Sequence, residues 1–147
     1  MDFSIRKFEE QDRNEILNMM KVFYSSDAVS TNGSLEIFTQ SFELCVNQSP
    51  YLEGYVFEKG NDILGYSLIA KSFSTEFGKY CIWFEDLYLK PEYRGNKIIP
   101  KFIEYIEKQY SNAIFKLEVE DYNKHAVHVY KKMGFEQMPY IEMKKGS

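Results

Sequence analysis

The stretch Tyr80-Cys81-Ile82-Trp83-Phe84-Glu85-Asp86-Leu87-Tyr88-Leu89 limits the possible folds more than any other part of this chain. Only Glu85 and Asp86 interrupt its apolar and aromatic residues. It is too short to span a membrane, and Pro91 stops it, so it reads as a central strand buried on both faces. Such a strand needs sheet neighbours and a covering layer. Beyond it, Arg94-Gly95-Asn96-Lys97 leads into a helix with the stripe Ile98, Ile99, Phe102, Ile103, Ile106 and Tyr110. Pro100 falls in the first turn, where its missing N–H costs nothing.

The flanking sequence supplies the rest of a sheet. Phe3 to Phe8 alternates as a first strand. Asp12 offers a cap for a helix with the stripe Ile16, Met19, Met20 and Phe23. Ser25 to Gly33 reads as a loop. Ser34 caps a second helix, with the stripe Leu35, Phe38, Phe42 and Cys45, ending at Asn47 to Pro50. Tyr51 to Lys59 and Ile63 to Phe73 form a hairpin about Gly60-Asn61-Asp62. Ser74 to Gly78 is the loop before the buried strand. Ala113 to Val119 is a further strand, Asn123 to Lys132 a last helix stopped by Gly134, and Tyr140 to Lys144 a closing strand. The order β-α-α-β-β-β-α-β-α-β implies an α/β (α+β) fold: a mixed, mostly antiparallel sheet covered by helices, one domain over residues 1–147.

Charge and cysteine content narrow the function. A net charge of -4 and a pI near 5.3 argue against nucleic-acid binding and favour a cationic small substrate. The amino terminus has no apolar signal region and no run reaches membrane length, so a cytoplasmic protein is expected. Cys45 and Cys81 are far apart and read as reduced, buried thiols. His125 and His128 have no acidic or cysteine partner at metal-binding spacing, so no metal is expected.

Two segments can carry chemistry. A helix amino terminus presents free N–H groups and partial positive charge to phosphate, and Arg94 and Lys97 add charge there. Residues alone leave a solvated loop as the alternative. In the last helix Asn123, Ala126 and Tyr130 fall on one face and could line a cleft, or be a cap, a packed alanine and a core tyrosine.

Phe84-Glu85-Asp86-Leu87-Tyr88-Leu89-Lys90-Pro91-Glu92-Tyr93-Arg94-Gly95 resembles the strand-to-helix motif of GNAT N-acetyltransferases. Asp121 to Phe135, with Asn123, Ala126, Tyr130 and Gly134-Phe135, resembles their final motif. The element order matches across nearly the whole chain. The resemblance implies a GNAT fold that transfers an acetyl group from acetyl-CoA, without metal, to a primary amine of a small cationic substrate; homodimers are common among such proteins. It places Leu87, Tyr88 and Leu89 along the pantetheine arm. It places Arg94, Gly95, Asn96, Lys97, Ile98 and Ile99 around the pyrophosphate, and Asn123 at the coenzyme or an ordered water.

The resemblance also implies Tyr130 as general acid facing the sulfur and Glu85 as base, with Asp86 second in line. Adjacent strand residues point to opposite faces, so only one of these carboxylates should face substrate. Where the family usually has small residues, mostly Gly, this chain has Lys97 and Ile99. That departure implies weakened or slightly rearranged coenzyme binding, with the charge of Lys97 supplied in return. It keeps open a second reading, a GNAT-fold acyl-CoA-binding module that turns over slowly or not at all.

Overall fold

The computed structural model describes residues 1–29 and 33–146. Five strands form one sheet in the order β1 (Ser4–Lys7), β2 (Leu52–Lys59), β3 (Asp62–Ser74), β4 (Lys79–Leu89) and β5 (Ile114–Leu117). The first three pairings are antiparallel and β4–β5 is parallel. Helices α1 (Arg13–Tyr24) and α2 (Leu35–Val46) cover one face; α3 (Ile98–Gln109) and α4 (Lys124–Lys132) cover the other. The crossover from β4 through α3 makes the parallel pair possible, since a parallel neighbour cannot be reached by a tight turn.

Strand periodicity sorts the core into two layers. Val56, Tyr66 and Tyr88 meet Ile16, Met20 and Phe42 on the α1–α2 face. Tyr55, Phe57 and Ile69 meet Phe102 and Ile106 on the α3 face. The helical stripes expected from sequence are buried at Ile16, Met19, Met20, Phe23, Ile98, Phe102, Ile103 and Ile106. Leu35 departs from its stripe: it lies in the first turn of α2 with its side chain in solvent. Cys81 is buried, Cys45 half-buried, and both are free thiols.

Several caps behave as local chemistry predicts. The Ser34 hydroxyl accepts from the Ile37 N–H at 3.3 Å. The Gly134 N–H donates to the Lys131 carbonyl and the Phe135 N–H to that of Tyr130, both at 3.0 Å, a Schellman ending with Gly134 at φ 100°. Asp12 does not cap α1 through its side chain; its carboxylate instead takes the Glu9 N–H and the Arg6 guanidinium, both at 2.8 Å. A charged partner across the strand–helix junction outcompetes the local cap.

The expected closing strand at Tyr140 to Lys144 is not formed. The segment makes no ladder, and Ile141 and Met143 are exposed. Its alternation is real, but Tyr140 is drawn to the β3–β4 turn by a hydrogen bond from its hydroxyl to Glu76 at 2.7 Å. The expected loop Ser25 to Gly33 is described only in part, because residues 30–32 lie outside the described residues. Among the described residues no helix is long and apolar enough to cross a membrane.

Candidate active site

The site is built by the mismatch in length between β4 and its neighbours. β5 pairs with β4 only from Cys81–Ile114 to Phe84–Leu117. β3 stays paired with β4 as far as Gly65–Leu89. From Glu85 to Leu89, therefore, the β5-side edge of β4 carries no ladder, and the sheet opens there. Gly65 is needed beside this stretch, because a Cβ on it would lie 2.1 Å from the Tyr88 carbonyl oxygen.

A β-bulge sits at the start of the opening. Leu68 faces Asp86 while Ile69 faces Phe84, so Glu85 is the extra residue. Side-chain parity changes there. Ile82 and Phe84 point to the α3 face before the bulge; Leu87 and Leu89 do so after it. Glu85 is left exposed, while Asp86 is 1% exposed on the α1 side. Both Asp86 oxygens accept phenol protons, from Tyr24 at 2.8 Å and Tyr66 at 2.7 Å. Only one of the two carboxylates is open to solvent, and a bulge, not simple alternation, sets their directions.

The electrostatics are acidic. Burial pushes the Asp86 carboxyl up to about 6, against the lowering effect of its two phenol donors. Glu85 is open to solvent at its surface, yet crowding by protein and then the charges of Asp86 and Glu142 raise its pKa. At the end of β5, Glu118 is raised to about 7, first by its hydrogen bond with Glu142 and then by burial. Sequence reading missed Glu118 and Glu142, which no motif joins. It also missed the partners of Asp86, although an acid inside an apolar strand run signals a buried carboxylate that needs donors.

Past β4, Pro91–Tyr93 makes one 3-10 turn, and the chain reaches α3 through Arg94 to Lys97. Arg94 is anchored: its Nε donates to the Leu89 carbonyl at 3.0 Å, and its guanidinium lies 5.8 Å from the Tyr88 ring centroid. The Asn96 amide donates to the Tyr93 carbonyl at 3.0 Å. Gly95 has φ 86°, and Lys97, at the N-cap, has φ 59° and ψ 28°. Among the described residues, the N–H groups from Gly95 to Ile99 donate to no carbonyl or side chain of the protein. These are the donors a pyrophosphate requires, and the left-handed residues bend the backbone so that successive N–H groups can converge. This donor set beside the open β4 edge fits coenzyme A.

Helix α4 brings the last expected residues. The Asn123 side-chain oxygen accepts from the Ala126 N–H at 3.2 Å, so Asn123 caps the helix. Tyr130 is half-buried, and its ring meets Phe135 at 6.0 Å; Phe135 in turn meets Phe84, just before the bulge, at 6.5 Å. Burial raises the Tyr130 pKa, and among the described residues its hydroxyl has no hydrogen-bond partner. His125 and His128 are exposed, and no group of potential metal ligands is assembled among the described residues. Across the opening, the Tyr122 hydroxyl donates to the Asp27 carbonyl at 2.6 Å, tying the β5–α4 connection to the loop after α1.

Comparison with known proteins accounts for this arrangement. The sequence model of the acetyltransferase (GNAT) family matches residues 15–135. A thialysine N-epsilon-acetyltransferase of Sus scrofa is 32% identical over 152 residues, covering 94% of this chain and 86% of that one. The fold superposes on an aminoglycoside acetyltransferase solved with a bisubstrate analogue, with TM-score 0.80, 11% identity and coverage of 100% and 99%. It also superposes on a predicted acetyltransferase of Clostridium acetobutylicum solved with acetyl-CoA, with TM-score 0.77, 20% identity and coverage of 97% and 96%. With the split sheet, the free N–H turn and the family match in agreement, the chain belongs to the acetyltransferase (GNAT) family and is an acetyl-CoA-dependent N-acetyltransferase.

Proposed function

We propose that the enzyme acetylates a primary amine on a small cationic acceptor, with Glu85 as base and Tyr130 as acid. The observation that carries this reading is the bulge that turns Glu85 outward at the split, among Asp86, Glu118 and Glu142. A cation is attracted to such a site, and a carboxylate there can take its proton. The relative from Sus scrofa is named for a side-chain amine substrate, which agrees with this choice.

In this reading Leu87, Tyr88 and Leu89 offer backbone to the pantetheine arm. The turn from Arg94 to Ile99 holds the pyrophosphate, and Asn123 adds a contact through its side-chain amide. Bound coenzyme supplies the activated acetyl thioester. An alkyl amine with a pKa of about 10.4 needs about 4–5 kcal/mol to be neutral at pH 7, at about 1.36 kcal/mol per unit. Glu85 lowers that barrier by accepting the proton from nitrogen, directly or through water. Its raised pKa, from crowding by protein and then the charges of Asp86 and Glu142, makes it a stronger base than an ordinary carboxylate. The Tyr130 phenol, kept neutral by burial, offers its hydrogen to the departing sulfur.

The test is a screen of diamines, aminoglycosides, amino acids and peptide amino termini for thiol release from acetyl-CoA, followed by the pH–rate profile of Glu85→Gln. The variant should lose the acidic limb and recover rate as pH approaches the amine pKa. An unchanged limb would remove Glu85 from the role.

A further inference from the structure

We propose that Asp86 is a positioning residue for Glu85: gripped by Tyr24 and Tyr66 on the α1 side, it fixes the bulge and sets a buried negative charge behind the base. This rests on the reading of Glu85 as base. Three observations lead to it. The bulge inserts Glu85 where the β5 ladder ends, and the residue that follows it is the most deeply buried carboxylate among the described residues. Asp86 is held from two elements, by Tyr24 at the end of α1 and by Tyr66 in β3, so it cannot rotate without breaking a hydrogen bond. Tyr66 is fully buried and packed by tilted and edge-on contacts among Phe8, Phe23 and Tyr88, which makes that anchor rigid.

A buried acid with two neutral donors and no cation is costly if its only task is to hold a strand, because an amide or an apolar residue could do that. Among the described residues no lysine or arginine pairs with it. Once ionised, above about pH 6, its charge is available to neighbours, and it acts on Glu85. The ionisable groups facing Glu85 are Asp86 on β4, Glu118 at the end of β5, Glu142 on the carboxyl-terminal segment and the Tyr24 phenol on α1. Those facing Asp86 are Tyr24, Tyr66 and, from α2, the Cys45 thiol. None of these side chains is a cation. A negative charge behind a carboxylate makes it hold a proton more tightly, so Asp86 strengthens the base without touching substrate.

The experiment is the pH dependence of kcat/KM on an active amine for wild type, Asp86→Asn, Glu85→Gln and the double variant, with thermal midpoints measured in parallel. In Asp86→Asn the acidic limb should move down by roughly half a unit to one unit. In the Glu85→Gln background the same change should move no limb and alter the rate less than about twofold, since the group it acts on is gone. If Asp86→Asn does not fold, Tyr24→Phe replaces it. That change removes one phenol donor from a half-buried position, weakens the hold on ionised Asp86 and should shift the limb down by a smaller amount. A limb lost in Glu85→Gln but unmoved in Asp86→Asn, or in Tyr24→Phe where that variant stands in, with only the thermal midpoint lowered, overturns the role of Asp86 alone. A limb that survives Glu85→Gln overturns the base assignment and this inference with it.

Discussion

Replacing Lys97 by glycine should stabilise the fold and barely disturb catalysis. Lys97 is the N-cap of α3, with φ 59° and ψ 28° and no side-chain cap bond. An L-residue in this left-handed region carries roughly 1–2 kcal/mol of strain that glycine avoids. Glycine loses more chain entropy on folding, which offsets roughly 0.5–1 kcal/mol. The net gain is about 0.5–1 kcal/mol. At about 2.1 cal/mol/K per residue, the unfolding entropy of a chain this long is about 0.3 kcal/mol/K, so the thermal midpoint should rise by about 2–3 °C. The same change removes an exposed charge beside the phosphate turn. A screened surface charge is worth about 0.2–1 kcal/mol, so the KM for acetyl-CoA should rise by no more than about fivefold, and less at high salt. Differential scanning calorimetry and initial rates at two ionic strengths measure both effects. Lys97→Ala separates them, since it keeps the Cβ and loses the charge; it should raise KM as the glycine variant does without raising the midpoint. A lower midpoint in Lys97→Gly, or an equal rise in Lys97→Ala, would refute the strain argument.

Tyr130→Phe should cut kcat by about 10²–10⁴ with chemistry rate-limiting, while the thermal midpoint stays within about 2 °C, because the hydroxyl has no hydrogen-bond partner among the described residues to lose. Lost stability with unchanged specific activity would instead make it a core tyrosine. Gly65→Ala should lower the thermal midpoint and raise the KM for acetyl-CoA together, since the added Cβ collides with the Tyr88 carbonyl on the β3 side and pushes the stretch of β4 whose other edge is open; a variant with both values unchanged would contradict that crowding. Asp86 also sets a sign for stability against pH. Its folded pKa of about 6 lies above the unfolded value near about 3.9, so the folded state binds the extra proton between these values. Stability from this group is full below about pH 4 and falls as pH rises to about 6, by up to about 3 kcal/mol. Urea titrations of wild type and Asp86→Asn at pH 4.5 and 7.5 should show wild type losing ground to the variant as pH rises, and a difference that stays constant would rule this out.

What the sequence reveals here and what it hides follow from the range of the forces involved. Local periodicity exposes every helix stripe and all five strands of the sheet, because burial on one face repeats at 3.6 or 2 residues. Caps at Ser34 and Gly134 are equally local, and both form as expected. Asp12 fails as a cap because Arg6 competes from β1, a partner that no window around the helix contains. Tyr140 to Lys144 fails as a strand for a related reason: alternation shows that a segment could pair, not that an edge lies within reach.

The site divides along the same line. Arg94 to Ile99 and Asn123 to Tyr130 are contiguous motifs, and the first becomes a run of free N–H donors because backbone geometry is set locally. The bulge is different. Nothing in Phe84-Glu85-Asp86-Leu87 says where an extra residue enters the ladder, because register is decided by β3 and by the two core layers together. Yet the bulge leaves its trace once both layers are known. Ile82 and Phe84 need the α3 face and so do Leu87 and Leu89, an odd step that a regular strand cannot make. One residue between Phe84 and Leu87 must be surplus. The apolar residues thus force the irregularity, and the two acids occupy the places it creates, one turned out to the opening and one turned in to Tyr24 and Tyr66.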